Sequence, residues 1–182
     1  MTKHINLDIK VEKPFGNLFR KKVALIVVEN MDGDFLVGTK PYAYPPTITR
    51  LLGGGVDEGE LEDDAAVREL NEELGVAIDS SKLTPLLVIT VNAEDAEGKH
   101  YKHETYIYYV NIGDTQYEPG DDIKAIVKLS LDGLYALGEA YEALPETLWY
   151  NGREGSYSWS DYAKLYGPVH KLSAEEIRTL KS

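Results

Sequence analysis

Polar and apolar side chains alternate along residues 4–11, with Ile5, Leu7, Ile9 and Val11 on one face, the pattern of a half-buried strand. After a break at Pro14, Gly16 and Asn17, residues 23–28 (VALIVV) form an unbroken, β-branched apolar run that predicts a buried strand. Asp32-Gly33 predicts a hairpin turn, with Phe35, Leu36 and Val37 as the returning strand. Residues 40–50 carry three prolines and read as a loop. The period then changes. From 61 to 74 there is neither Pro nor Gly, Val67, Leu70 and Leu74 share one helical arc, and Gly75 stands where a C-terminal cap is expected.

Further along, residues 86–91 and 101–112 predict the two strands of a long hairpin around a polar turn at 93–98. On the second strand Tyr101, His103, Thr105, Ile107 and Tyr109 share one face, so His100 and His103 point to opposite sides and do not share a metal. An acidic loop at 117–122 leads into a strand over 123–129, and residues 131–144 predict a helix closing the far side of the sheet. The remainder, 145–182, is rich in Trp and Tyr. Its Ser173-Ala174-Glu175-Glu176 has the spacing of a capping box, which predicts a helix start there. This segment reads either as packing against the core or as a lid or homodimer contact.

Composition narrows the picture. A chain of 182 residues with 43% hydrophobic content suits one domain with a sizeable core. No apolar stretch is long enough to span a bilayer and the first ten residues lack a signal core, which points away from membranes and to the cytoplasm. With no cysteine, thiolate metal sites and cysteine nucleophiles are excluded. The net charge of -12 opposes binding to a nucleic acid polymer, which needs a basic surface. The cluster Arg20, Lys21 and Lys22 reads first as a solvated strand entry and second as a phosphate contact.

The candidate chemistry lies in residues 54–76. Glu69, Glu72 and Glu73, spaced i, i+3 and i+4, form an acidic stripe whose mutual repulsion costs an isolated helix roughly 0.2–0.5 kcal/mol per pair. A hard divalent cation relieves it, and magnesium is typically held by a couple of carboxylates together with substrate phosphates. The glycine run Gly53-Gly54-Gly55 lets the backbone approach a ligand closely. In the preceding loop Tyr42 and Tyr44 either stack on a nucleobase or cover the sheet.

Gly54, five residues, Glu60, seven residues, then Arg68-Glu69-Leu70-Asn71-Glu72-Glu73-Leu74-Gly75-Val76 resembles the complete Nudix box at all nine specified positions. The place two residues before the first box glycine, often Pro in that family, is Leu52 here. The order of elements also resembles the Nudix domain, an α/β/α sandwich with a mixed β-sheet. Residues 1–144 are expected to form that domain, with 145–182 an extension packing on it. The resemblance implies a Mg2+-dependent (or Mn2+-dependent) hydrolase of a small nucleotide-like diphosphate, a nucleoside diphosphate linked to another group. Glu72 and Glu73 would bind metal, Glu69 would be a ligand or the base that deprotonates water, and the Gly54 carbonyl would complete the shell. Glu60 and Arg68 would be a structural ion pair. A further acid is expected near the 117–122 loop, with Asp122 favoured over Glu104, Glu118 and Asp121. The alternative is a Nudix-fold sensor domain without catalysis; such domains tend to lose box carboxylates, and all are present here. Neither the ADP-ribose nor the dinucleoside polyphosphate subclass signature is present around Val91, Asn92 and Ala93.

Overall fold

A computed structural model of the chain describes residues 2–40, 44–120, 123–153 and 155–182. The apolar run found in the sequence becomes β2 (Lys22–Glu29), which lies inside a seven-stranded mixed sheet. Its side chains alternate between two cores because successive residues of a strand face opposite ways. Val23, Leu25 and Val27 enter one cluster and Ala24, Ile26 and Val28 the other. A strand buried on both faces needs a continuous apolar run, and residues 23–28 supply one.

Around it stand β1 (Lys3–Val11), β3 (Phe35–Thr39), β4 (Arg50–Gly55), β5 (Thr84–Asp95), β6 (His100–Asn111) and β7 (Ala125–Leu129), in the order β1-β5-β6-β2-β4-β3-β7. β2 runs parallel to β6 and antiparallel to β4, and β1 runs parallel to β5. The alternation of β1 is explained by its place at the sheet edge: Ile5, Leu7 and Ile9 pack inward while His4, Asn6 and Asp8 stay exposed on the other side. β7 begins two residues later than the sequence pattern predicts.

Helix α1 (Glu62–Leu74) covers one face. Ala65, Ala66, Leu70 and Leu74 are fully buried there, and removing each leucine from water is worth roughly 1.5–3 kcal/mol. Glu62, Asp63 and Asp64 in the first turn complement the helix dipole, and Gly75 at φ 68° ends the helix, its N–H donating to the Asn71 carbonyl. On the opposite face lie α2 (Leu131–Glu142) and α3 (Trp159–Lys181), which makes the fold an α/β/α sandwich.

The last helix corrects the capping-box reading. Ser173 and Ala174 are buried in the interior of α3, whose N-cap is Ser158, its hydroxyl accepting from the Ser160 N–H. Pro168 also lies inside this helix, a position that by itself costs about 3 kcal/mol. The burial of Leu165, Tyr166, Val169, Ala174 and Ile177 at helical spacing outweighs both local signals. Before α3 a two-stranded hairpin forms that the sequence pattern does not predict, β8 (Trp149–Gly152) with β9 (Gly155–Ser158). Tyr157, Trp159, Tyr162 and Tyr166 join the same core as β1, β5 and α2.

Candidate active site

The site is built where α1 crosses β4. Gly53 sits in β4 at φ 126°, and a Cβ there would stand 2.1 Å from the Ala24 carbonyl oxygen, so no side chain fits. Its N–H donates to Glu73 Oε2 at 2.7 Å. At Gly54 a Cβ would stand 2.5 Å from Glu69 Oε1. The two glycines therefore let two carboxylates of α1 lie directly on the strand, one bonded to its backbone and the other filling the space a side chain would take. The third, Glu72, is exposed.

That arrangement alters the first picture of an acidic face opposite a buried one. Glu73 is only 2% exposed, within the protein interior. Burial pushes its carboxyl up to about 7, helped by the nearby Glu69 charge and opposed by Arg50 and the Gly53 N–H. Burial likewise raises Glu69, against the pull of Arg68, with Glu72 adding to the rise. Both carboxylates are thus held where their own charge is unfavourable and a cation would be welcome.

Arg68 organises the loop around them. Its Nε and Nη2 donate to the two oxygens of Glu60 at 2.9 and 3.0 Å, and Nη2 also donates to the Gly55 carbonyl at 2.9 Å. Nη1 reaches Glu69 at 2.8 Å and Glu72 at 3.3 Å. The bidentate fork fixes guanidinium orientation as well as distance. Glu60 in turn accepts from the Asp57 N–H at 2.9 Å, so the loop entering α1 is tied to the helix.

Glu69, Glu72 and Glu73 line one cavity of about 460 Å³ together with Gly53 and Gly54. The remaining walls come from distant parts of the chain: Arg20 and Asn17 before β2, Lys40 and Tyr44 from the 40–50 loop, Arg50 from β4, and Tyr150, Arg153, Tyr157 and Tyr162 from the C-terminal segment. A larger and more open polar groove, about 730 Å³, runs past Lys10, Glu94 and Asp161 and shares none of these residues. Its buried acid, Asp161, is already engaged by Lys164 at 2.8 Å and by the Glu12 N–H at 2.8 Å.

Among the expected residues, Tyr44 lies in the cavity wall, while Tyr42, Asp121 and Asp122 fall outside the described residues. Glu104 accepts from the Tyr106 hydroxyl at 3.2 Å and Glu118 is exposed, and neither lines the cavity. His100 is exposed and His103 buried, on opposite sides of β6. The His103 Nδ1–H donates to the Arg20 carbonyl at 2.8 Å and Nε2 accepts from the Thr105 hydroxyl at 2.8 Å, while burial lowers its pKa. A neutral His103 therefore holds the backbone at Arg20.

Sequence reasoning missed Arg50, Arg153 and Tyr150. Only Arg50 carried a local signal, its place three residues before the glycine run.

Among the described residues no three acidic or imidazole groups stand close enough to make a ready-formed cation cage. Magnesium requires less, since it keeps waters and takes one or two carboxylates plus substrate oxygens. The hard oxygen donors of Glu69, Glu72 and Glu73 beside the glycine backbone fit such an ion.

A family profile described as "NUDIX domain" matches residues 19–147, most of the chain. The chain belongs to the Nudix family. Solved structures agree on the Nudix fold. A C. elegans Ap4A hydrolase in a binary complex is 20% identical, with a TM-score of 0.51 over 88% of this chain and 97% of that one. A MutT protein from Methanosarcina mazei Go1 is 14% identical, with a TM-score of 0.53 over 90% and 96%. A MutT/nudix family protein from Enterococcus faecalis is 24% identical over 60% of this chain, with a TM-score of 0.48; the match spans 43% of that protein's length. No curated protein matches. Nudix membership supports pyrophosphate hydrolysis in general terms, and among the described residues no helix is long and apolar enough to cross a membrane.

Proposed function

We propose that this Nudix protein is a magnesium-dependent pyrophosphohydrolase acting on a nucleotide-like diphosphate, a nucleoside diphosphate linked to another group. The observation that carries the reading is the seating of Glu69 and Glu73 on Gly53 and Gly54, with Glu72 on the same cavity wall. Glu72 and Glu73 would hold the ion, and the Gly54 carbonyl would add a backbone donor. Bound magnesium, or manganese in its place, supplies charge neutralisation of phosphate oxygens and lowers the pKa of water.

Glu69 accepts a proton from the attacking water as its oxygen bonds to phosphorus, and the bridging P–O bond breaks to release two phosphate-terminated products. The raised pKa of Glu69 suits that role, because a stronger base takes the proton more readily. Arg68 keeps Glu69 oriented while Glu60 holds Arg68. Tyr44 offers a ring to the substrate's aromatic group. Residues 1–144 act as the catalytic domain and 145–182 as an extension of the same folding unit, consistent with their shared core.

The test is product release from nucleoside triphosphates, nucleotide sugars, ADP-ribose and dinucleoside polyphosphates, with magnesium and with chelator. Hydrolysis that needs magnesium and falls by about 100-fold or more in Glu72→Gln is expected, as for loss of an electrostatic catalytic group. Substrate binding without turnover across the panel would instead assign the chain to the sensor class.

A further inference from the structure

The chain contains five arginines in a composition where acidic residues outnumber basic ones by 31 to 19. In such a chain an arginine readily finds a carboxylate, and two do: Arg68 pairs with Glu60, Glu69 and Glu72, and Arg178 with Asp132. The other three, Arg20, Arg50 and Arg153, have no ion-pair partner among the described residues, and all three line the single cavity that holds the carboxylate stripe.

Arg50 is the most constrained of them. Its Nη2 donates to the Gly53 carbonyl at 3.1 Å, its Nη1 to the Tyr162 hydroxyl at 3.4 Å, and its guanidinium lies 5.5 Å from the Tyr166 ring centre. The Nε is buried with no hydrogen-bond partner. Its hydrogen bonds go to neutral groups alone, and although the Glu69 and Glu73 charges act on it, neither forms a salt bridge with it. A desolvated cation without a salt bridge is only partly compensated in the free protein and gains when a ligand brings further opposite charge. Arg20 approaches from the segment before β2, its Nη1 2.6 Å from where a Gly55 Cβ would stand. Arg153 comes from the turn between β8 and β9, outside the span that matches the NUDIX domain.

We propose that Arg20, Arg50 and Arg153 form an oligophosphate subsite, so that the favoured substrates are nucleoside oligophosphates carrying three or more phosphates, with the β8–β9 hairpin as the element that selects them. The inference rests on the hydrolase reading for which bond is cut, but not for what is bound. A cation held by the carboxylates would offset the charge of the diphosphate under attack. Three further guanidinia, each matched in geometry to phosphate oxygens, exceed what two phosphates require. Tyr44 and Tyr150, each partly buried and set edge-on to Trp159, provide the aromatic wall that a nucleobase needs.

The test uses the full chain with chelator, so that no metal contributes, and titrates inorganic tripolyphosphate and pyrophosphate calorimetrically. Tripolyphosphate is expected to bind about tenfold tighter or better. Arg153→Gln and Arg20→Gln, both at exposed positions and therefore compatible with folding, should each weaken tripolyphosphate by about tenfold and pyrophosphate less. Arg178→Gln, outside the cavity, should bind as wild type. Equal affinity for the two ligands, or cavity variants that bind as wild type, overturns the proposal. A parallel hydrolysis assay separates the two readings. Arginine-dependent tripolyphosphate binding without turnover of any substrate would sink the hydrolase and leave the subsite standing. Turnover indifferent to phosphate number and to Arg153 would do the reverse.

Discussion

Two residues with no functional groups of their own control the carboxylates. Gly54→Ala would drive a Cβ into the Glu69 carboxylate while leaving the β4 backbone in an ordinary conformation. The expected result is a fall in kcat of roughly 10- to 100-fold from a misplaced base, with a melting temperature within a few degrees of wild type. Gly53→Ala meets the Ala24 carbonyl and a positive φ together, so it should lower stability first; thermal melts of the two variants distinguish them. His170 behaves differently. Its Nε2 accepts the Leu51 N–H at 3.2 Å and its Nδ1–H donates to the Tyr166 carbonyl at 2.6 Å, a pattern that only the neutral ring satisfies. Burial, with the Arg50 charge adding to it, pushes its pKa down to about 4 from the ordinary 6.5. The unfolded chain therefore binds more protons between those values. Stability from this group is complete above pH 6.5 and lost as pH falls towards 4, on the order of 3 kcal/mol in all. Urea unfolding at pH 7 and pH 4.5 should reveal the loss, and His170→Phe should be less stable at pH 7 with a flatter dependence.

At the scale of elements, α1 carries both packing and chemistry, which is why its sequence breaks the usual rule for surface helices. Its apolar arc and its C-terminal glycine are local signals and were readable from residues 61–75. That Glu73 lies under the strand and not in solvent was hidden, because the cause is a contact with Gly53, twenty residues earlier in the chain. The loop before α1 depends on the Glu60–Arg68 fork. Glu60→Gln removes the charge from that fork, and a loss of about 1 kcal/mol in stability is expected, given how partly exposed the pair is. Turnover should fall more than stability, since Arg68 also orients Glu69; stopped assays and urea melts on the same sample compare the two. Helix α3 was misread from its own residues. Pro168 and the Ser173–Glu176 spacing argue locally for a boundary, while the stacking of Tyr162 on Tyr166 at 4.3 Å and the burial of Ile177 hold one helix through it.

Across the whole molecule, what the sequence concealed is convergence. Strands β1, β2, β3, β5, β6 and β7 and the helix of the box carry hydrophobic patterns that could be named one by one, whereas β4 and the β8–β9 hairpin do not. Arg20, Arg50 and Arg153 sit in three separate segments with nothing in the sequence to link them, and the packing of those segments around β2 and β4, with α3 on the opposite face from α1, brings them to one cavity. The same packing joins the extension to the site. Strand β4, which presents Gly53 and Gly54 to the carboxylates, donates its Leu51 N–H to a histidine of α3, so the C-terminal helix braces the strand the chemistry depends on. The Leu51 amide hydrogen is thereby a natural reporter. Buried and bonded to an imidazole, it should exchange with deuterium only when α3 lifts away or the domain unfolds, and its protection factor should drop as His170 takes up its proton. A single resonance would then measure how firmly the last helix is docked behind the site.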